Sequence, residues 1–338
     1  MHLSFSKTVE LRQPFRLLHL PPEAVIYRNG YRHPLTRFQK FVSGPVFKRL
    51  YKQSRRLRKN ACGKFEFTNR NTRSIISFRA QNTQFHSIYL PEYRYYEPET
   101  LALVDLLLPR CQVFYDIGSN WGHFSLYAAS NPLFSGSVYA FEPMPSTFDD
   151  LENTVRQAQL SQQIHCSPWA LSDSDQTAYL HLPDGIHSGN ATVTNLTGGI
   201  KITQCKLDDL TLPIPDLIKV DAEGHESAIF SGGRKRISEH QPFIIFEHFR
   251  NSSNPLIAAA PLLKLQQAGY VFFLPLFIHT RDGHIVHENK QDQIPSTAPE
   301  ATLGLFQFTL EERNFLEIQA NILACPTIKL EELKACFQ

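Results

Sequence analysis

Between residues 98 and 270 the hydrophobic positions fall into short apolar runs separated by stretches of helical periodicity. "EPETLALVDLLL" reads as an amphipathic helix with acids in its first turn, where they meet the positive end of the helix dipole. "VFYDIG" follows as a strand, "WGHFSLYAAS" as a helix and "SVYAFEP" as a second strand. "STFDDLENTVRQAQ" predicts a helix capped by Ser146 or Thr147, and "IHCSPWALSD" a short third strand. "DLIKVDAEG" is a fourth strand entering the helix "HESAIFSGG", "PFIIFEHF" is a fifth, and "PLLKLQQAGYVFFLPL" supplies a helix and a sixth. Near-continuous apolar strands alternating with helices predict an α/β fold with a parallel sheet covered on both faces. Residues 176–206 alternate with a period of two instead, which predicts a β-hairpin insertion between the third and fourth strands.

Composition changes this picture in three respects. No apolar run reaches the roughly 18 residues of a membrane span, and "MHLSFSKTVELRQPF" lacks the apolar stretch of a signal peptide. The six cysteines (62, 111, 166, 205, 325 and 336) are scattered without a CxxC pair. That predicts reduced thiols in a cytoplasmic protein, with no disulfide framework or zinc site, and makes the sequons at Asn190, Asn195 and Asn251 chance matches. Finally, the net charge of +2 conceals an asymmetry: residues 1–64 hold fifteen Lys/Arg against Glu10 and Glu23 alone, leaving about −11 on the rest. Residues 1–90 therefore stand as a basic N-terminal extension to a domain spanning 91–338. Within the extension, "FQKFVSGPVFKRLYKQSRRLRK" mixes Phe, Val, Leu and Tyr with cations, as a helix lying on an anionic membrane does. The other reading is a solvated basic face packed on its own domain. An anionic glycan is a third partner of suitable charge; no nucleic-acid signature is present.

Candidate chemistry centres on "FYDIGSNWG". In a parallel sheet, ligands bind at the carboxyl ends of the strands, and glycines there let the backbone approach a ligand closely. Glu142 ends the second strand 24 residues after Gly118, near the spacing at which an acid bonds ribose hydroxyls. The pattern points to a nucleoside-containing cofactor. A carboxylate at Asp116 would repel the diphosphate of NAD but attract a sulfonium or ammonium, and S-adenosylmethionine carries both. An NAD(P)-dependent oxidoreductase would share the fold, but GxGxxG is missing. A non-catalytic nucleoside-binding module would be expected to have lost parts of the site.

Taken in order, "FYDIGSNWGHFSLYAA", "AFEPMPSTFDDLENTV", "SPWALSD", "LDDL", "LIKVDAEGHESAIFSGG" and "PFIIFEH" resemble the FkbM-type S-adenosylmethionine-dependent methyltransferases. The resemblance covers roughly residues 95–280, and its specificity lies in the joint occurrence of DIGSNWG and IKVDAEGHE. It implies a class I methyltransferase fold, Rossmann-like, with a mostly parallel seven-stranded sheet. The activity it implies is O-methylation of a hydroxyl on a sugar, polyketide or related natural product. Ser119 stands where the family has Ala. The resemblance places Asp116, Gly118, Ser119, Asn120 and Gly122 along the methionine half of the cofactor and Glu142 on the ribose. Trp169 and Ala170 fall at the adenine edge, though Trp169 reads equally as core. Glu97 in "YYEPET" belongs to an entry segment that closes over the cofactor, or is a surface acid.

Methyl transfer to a hydroxyl calls for a base or a metal beside the methyl group. Asp221, Glu223, His225 and Glu226 follow the fourth strand, and Glu247 and His248 the fifth. Asp221, which also borders the cofactor, and Glu247 project from neighbouring strands at one level, as a general base with an orienting partner, and His248 joins them as a candidate or serves as a structural histidine. An oxygen-rich divalent-cation site is the other use of such a pair. The metal-free reading is preferred, because the sequence does not locate a third ligand. Glu223 and Glu226 open a helix three residues apart, where one of them complements the helix dipole. The expected enzyme methylates a hydroxyl of a lipid-linked or surface glycan at the inner face of the membrane.

Overall fold

The computed structural model describes residues 1–20, 62–80, 82–89, 96–181, 192–194, 198–249, 255–281, 284–288, 300–315 and 319–338. The strands are, in chain order, β1 (His2–Glu10), β2 (Phe15–His19), β3 (Cys62–Asn69), β4 (Thr72–Arg79), β5 (Val113–Ile117), β6 (Ser137–Phe141) and β7 (Ile164–Ser167). Next come β8 (Trp169–Ser172), β9 (Gln176–His181), β10 (Thr192–Thr194), β11 (Ile200–Lys206), β12 (Leu217–Val220) and β13 (Phe243–Phe249). The last four are β14 (Tyr270–Arg281), β15 (His284–Glu288), β16 (Glu300–Phe308) and β17 (Gln319–Pro326).

The main sheet runs β1-β16-β14-β17-β13-β12-β5-β6-β7, with β15 paired to β14. Its half from β13 to β7 is parallel throughout, and this is the part the alternation of apolar runs and helices predicted. All four residues of β12 are buried, as are all but the first of β5, because helices cover both faces. The expected seven-stranded, mostly parallel sheet needs correction. Ten strands take part, and β17, β14, β16, β1 and β15 all join by antiparallel pairing. The cause is connectivity: β14 to β17 follow one another with no intervening α-helix among the described residues, and antiparallel neighbours need no helical crossover.

Two smaller sheets flank this frame. "IHCSPWALSD" splits at Pro168 into β7 and β8, and β8 leaves the main sheet to pair with β11, consistent with a proline's missing donor. The predicted hairpin insertion is present as β9, β10 and β11, in the order β10-β9-β11-β8. The third sheet, β2-β3-β4, comes from residues expected to form a separate extension.

The described parts of that extension are not separate from the rest. β1 pairs with β16 along eight registered positions, and Val9, Leu11, Phe65 and Phe67 share one core with Phe114, Leu126 and Val138. Phe65 and Phe85 pack on Trp121, with ring centroids 5.7 and 4.7 Å away. Arg12 binds Asp105 through Nε at 2.9 Å, and Arg79 binds Asp150 at 2.7 Å, which consumes two of the cations in ion pairs to helices. The stretch expected as a membrane-surface helix, and the three sequons, lie outside the described residues. Among the described residues no helix is long and apolar enough to cross a membrane, and no cysteine is joined in a disulfide.

The helix predicted with a Ser146 or Thr147 cap begins earlier, at Pro145, with Met144 as its cap. Proline at the first helical position sacrifices only an amide that has no intrahelical partner, and its fixed φ suits the start of a helix.

Candidate active site

The turn leaving β5 is shaped by backbone constraints. Gly118 has φ +78°, and a Cβ there would lie 1.8 Å from the Asp221 carbonyl oxygen, so the β5 and β12 ends touch through a residue that must be glycine. The amides of Gly118 and Ser119 both donate to the Phe141 carbonyl at 3.0 Å, fastening the turn to β6. Asn120 holds φ +50°, its amide donates to Glu142 Oε2 at 3.0 Å, and its Oδ1 accepts from the Trp121 amide at 2.8 Å. Glu142 Oε1 accepts from the Met144 amide at 2.8 Å. Burial pushes the Glu142 carboxyl up to about 7 against those two amide bonds. Positive φ at Glu97, Asn120 and Glu223 places three strained non-glycine residues around one site.

A cavity opens above this turn, lined by Gly118, Ser119, Asn120 and Glu142 on one side, by Met144, Trp169, Ala170, Leu180 and Val193 on another, and by Lys219, Asp221, Glu223 and His225 beyond. Leu180 and Val193 belong to β9 and β10, so the hairpin insertion walls the site.

Asp116, Gly122 and Glu97 need correction as cofactor contacts, because none of them lines this cavity. Asp116 is fully buried one layer back, where its Oδ2 accepts from Ser125 Oγ at 2.6 Å and its Oδ1 has no partner. Burial raises its pKa despite the nearby Lys219 ammonium. Gly122 begins the helix His123–Ala129 with φ +94°, and a Cβ would crowd Leu151 at 2.8 Å.

Lys219, which sequence reasoning missed, stands opposite Asp116 in the β5–β12 register. It is 3 % exposed; Nζ donates to Asp221 Oδ2 at 3.1 Å and lies 4.4 Å from the Phe124 ring centroid. Burial opposes its charge, but Asp221, Asp116 and Glu97 outweigh that and hold its pKa above the ordinary value. A lysine inside the apolar run "LIKV" was the available signal, since a buried lysine needs a partner.

Three carboxylates converge next to it. Oxygens of Asp221, Glu223 and Glu247 all lie within 4.8 Å of one another. Burial, then repulsion by Asp221, pushes Glu223 up to about 8 and Glu247 up to about 9. Gln319 of β17 donates to Glu247, lowering it in part. Glu97 is the half-buried N-cap of the helix Pro98–Leu107, is bonded to Tyr96, and accepts from Asn321 Nδ2 at 3.3 Å. Burial brings it to about 7, so it belongs to the charged site and is not a surface acid.

His248 needs correction as a catalytic candidate. It neighbours Glu247 on β13, and successive strand residues point to opposite faces. Ile244 and Phe246, in register with His248, pack in the core on the other side of the sheet from Phe243 and Ile245. Burial, then Arg313, lowers the His248 pKa to about 4. His225 Nε2 meets Ser172 Oγ at 2.9 Å. Glu226 accepts from the Ala222 and Gly224 amides, both at 3.2 Å, so it fastens its own turn while Glu223 joins the carboxylates. The missing third oxygen ligand, on which the metal-free preference rested, is thus supplied by Glu223.

Residues 112–272 match the family model described as the Methyltransferase FkbM domain. This part of the chain is an FkbM methyltransferase domain. Hexuronic acid methyltransferase AglP of Haloferax volcanii is 30 % identical over 138 residues, which are 38 % of this chain and 54 % of that protein. The chain thus spans about half the length of this curated relative. Among solved structures, methyltransferase FkbM from Methylobacillus flagellatus KT is similar at 17 % identity, covering 58 % of this chain and 43 % of that one, with a TM-score of 0.36. An O-methyltransferase from Bacillus cereus in complex with SAH is similar at 13 % identity, covering 60 % and 78 %, with a TM-score of 0.34. Likenesses this faint carry no argument about function.

The FkbM domain offers a fitting place for S-adenosylmethionine. Gly118, Ser119 and Asn120 line the cavity with Glu142, and each Glu142 oxygen keeps acceptor capacity after receiving one amide. Trp169 lines the cavity with Ala170 and also packs on the core behind it.

Proposed function

We propose that the FkbM domain catalyses S-adenosylmethionine-dependent O-methylation of a hydroxyl on a sugar, glycan or related natural product. The observation that carries this is the group of Asp221, Glu223 and Glu247 carboxylates, the first two of which line the cavity. S-adenosylmethionine, when bound, supplies an electrophilic methyl group. Gly118, Ser119 and Asn120 would cradle it, with Glu142 on its ribose and Trp169 and Ala170 at its base. The protein's task is then to orient a hydroxyl and remove its proton. Asp221 is engaged by Lys219, and of the two remaining carboxylates Glu247, held in place by Gln319, serves as the proton acceptor. Its high pKa makes it a strong base once ionised, so the rate should climb as pH approaches about 9. As the acceptor oxygen gains the methyl group, its proton passes to a Glu247 carboxylate oxygen.

The name of the Haloferax relative raises a carboxyl as the acceptor instead. The burial and the Asp221 charge that raise the Glu247 pKa disfavour it in this chain, because they would act in the same way on another carboxylate placed beside them. Two agents relieve such crowding: shared protons or a divalent cation on oxygen ligands. Incubation with methyl-labelled S-adenosylmethionine and a set of neutral, amino and uronic glycans tests the proposal. Transfer to neutral acceptors that survives EDTA supports the proton-based site. Activity abolished by EDTA and restored by Mg²⁺ identifies a metal-assisted one.

A further inference from the structure

His123 is the first residue of the helix behind the glycine turn, lines the cavity, and is only 7 % exposed. Neither ring nitrogen has a hydrogen-bond partner. Four aromatic rings fix it: Phe15 at 4.9 Å, Tyr96 at 5.2 Å, and Trp121 and Phe124 each at 5.3 Å between centroids. Their edges and faces hold the imidazole without satisfying either nitrogen. Burial, then the Lys219 ammonium, lowers its pKa to about 3, so the ring is neutral and offers one N–H donor and one lone pair. A buried polar side chain is expected to be paired, and exceptions gather where a ligand completes the set.

The surroundings indicate which ligand group. Lys219 also lines the cavity, and its Nζ stands over the same Phe124 ring that packs against His123. A neutral N–H donor and a buried ammonium, both packed against one ring and both lining the cavity, complement an anion. On the S-adenosylmethionine reading of the cavity, on which this inference rests, the bound molecule's one anionic group is the carboxylate of its amino-acid end. We propose that His123 donates a hydrogen bond to that carboxylate, together with Lys219, and so distinguishes the intact cofactor from nucleosides lacking the amino-acid end. The aromatic enclosure sets the ring's position before the ligand arrives, so little side-chain freedom is lost on binding.

The test compares two probes, S-adenosylhomocysteine and 5′-methylthioadenosine, which share the nucleoside but differ in the amino-acid end. Calorimetric affinities are measured for the wild-type protein, His123→Phe and His123→Gln. Phenylalanine keeps a ring in the aromatic enclosure and removes the donor; glutamine retains a donor in a different shape. The expected result is about a tenfold loss of S-adenosylhomocysteine affinity in His123→Phe, with 5′-methylthioadenosine unchanged and His123→Gln intermediate. Equal weakening of both probes, or no weakening of either, overturns the proposal, as does a change confined to the KM of the methyl acceptor. If the phenylalanine variant does not fold, the glutamine variant alone decides, by whether its loss is confined to S-adenosylhomocysteine. A wild-type protein that binds neither probe instead overturns the cofactor reading, and this inference with it.

Discussion

Glu247 is where the charge balance of the site is most demanding. Replacing it by glutamine keeps shape and hydrogen bonding but removes proton acceptance. In that variant kcat should fall on the order of 10²–10⁴-fold with S-adenosylhomocysteine affinity nearly intact, measured by steady-state kinetics and calorimetry. A larger loss in Asp221→Asn would exchange the two roles. The same carboxylates couple stability to pH. Glu247 and Glu223 titrate in the folded protein at about 9 and 8, above their ordinary 4.5, so the native state holds protons that the unfolded chain releases. Stability should therefore fall as pH rises from about 5 to about 9, and Glu247→Gln should flatten that slope in melting curves. At this scale the sequence was legible where residue type and strand position suffice, as for Glu142 and the Asp221–Glu247 pair. It misplaced His248 because a one-residue step along a strand reverses the face, and it passed over Lys219 and His123, whose significance depends on what surrounds them.

The element that assembles the site is the β5 turn pressed against the end of β12. Gly118→Ala would drive a methyl group into the Asp221 carbonyl at a φ that side chains avoid, costing about 3 kcal/mol or more in chemical denaturation. Gly224→Ala meets no atom within 4 Å and bears only the penalty of positive φ, about 1–2 kcal/mol. Comparable losses in the two variants would contradict the close contact between strand ends. The parallel half of the sheet was legible because each strand there except β7 is followed by a helix. The antiparallel half was not, since among the described residues no α-helix lies between β16 and β17 to punctuate the pattern. The hairpin insertion could be read from its period of two, but not its place as a wall of the cavity, which depends on tertiary packing.

Across the whole molecule, the basic residues of the N-terminal extension divide into two populations. Arg12 is committed to Asp105, and the strands around it are built into the core, so deleting residues 1–64 would remove β1 and β2 from their sheets. Docking on anionic lipid is better tested by substituting glutamine for the cations between Arg37 and Lys59. Each Lys or Arg near such a surface contributes about 1 kcal/mol, decaying within roughly 8–10 Å. The unaltered protein should sediment with phosphatidylglycerol vesicles at low salt and be released near half-molar salt (about 0.5 M), whereas the substituted protein should stay in the supernatant. Equal behaviour of the two would leave the cations to a soluble acidic substrate. The most direct test of hydroxyl methylation is the chemical nature of the methylated product. Label transferred from S-adenosylmethionine should reach a glycan and resist mild alkali, as a methyl ether does. Label released by alkali as methanol would mark a carboxyl acceptor, and would contradict a site in which burial and the Asp221 charge disfavour another carboxylate and Glu247 takes up a hydroxyl proton.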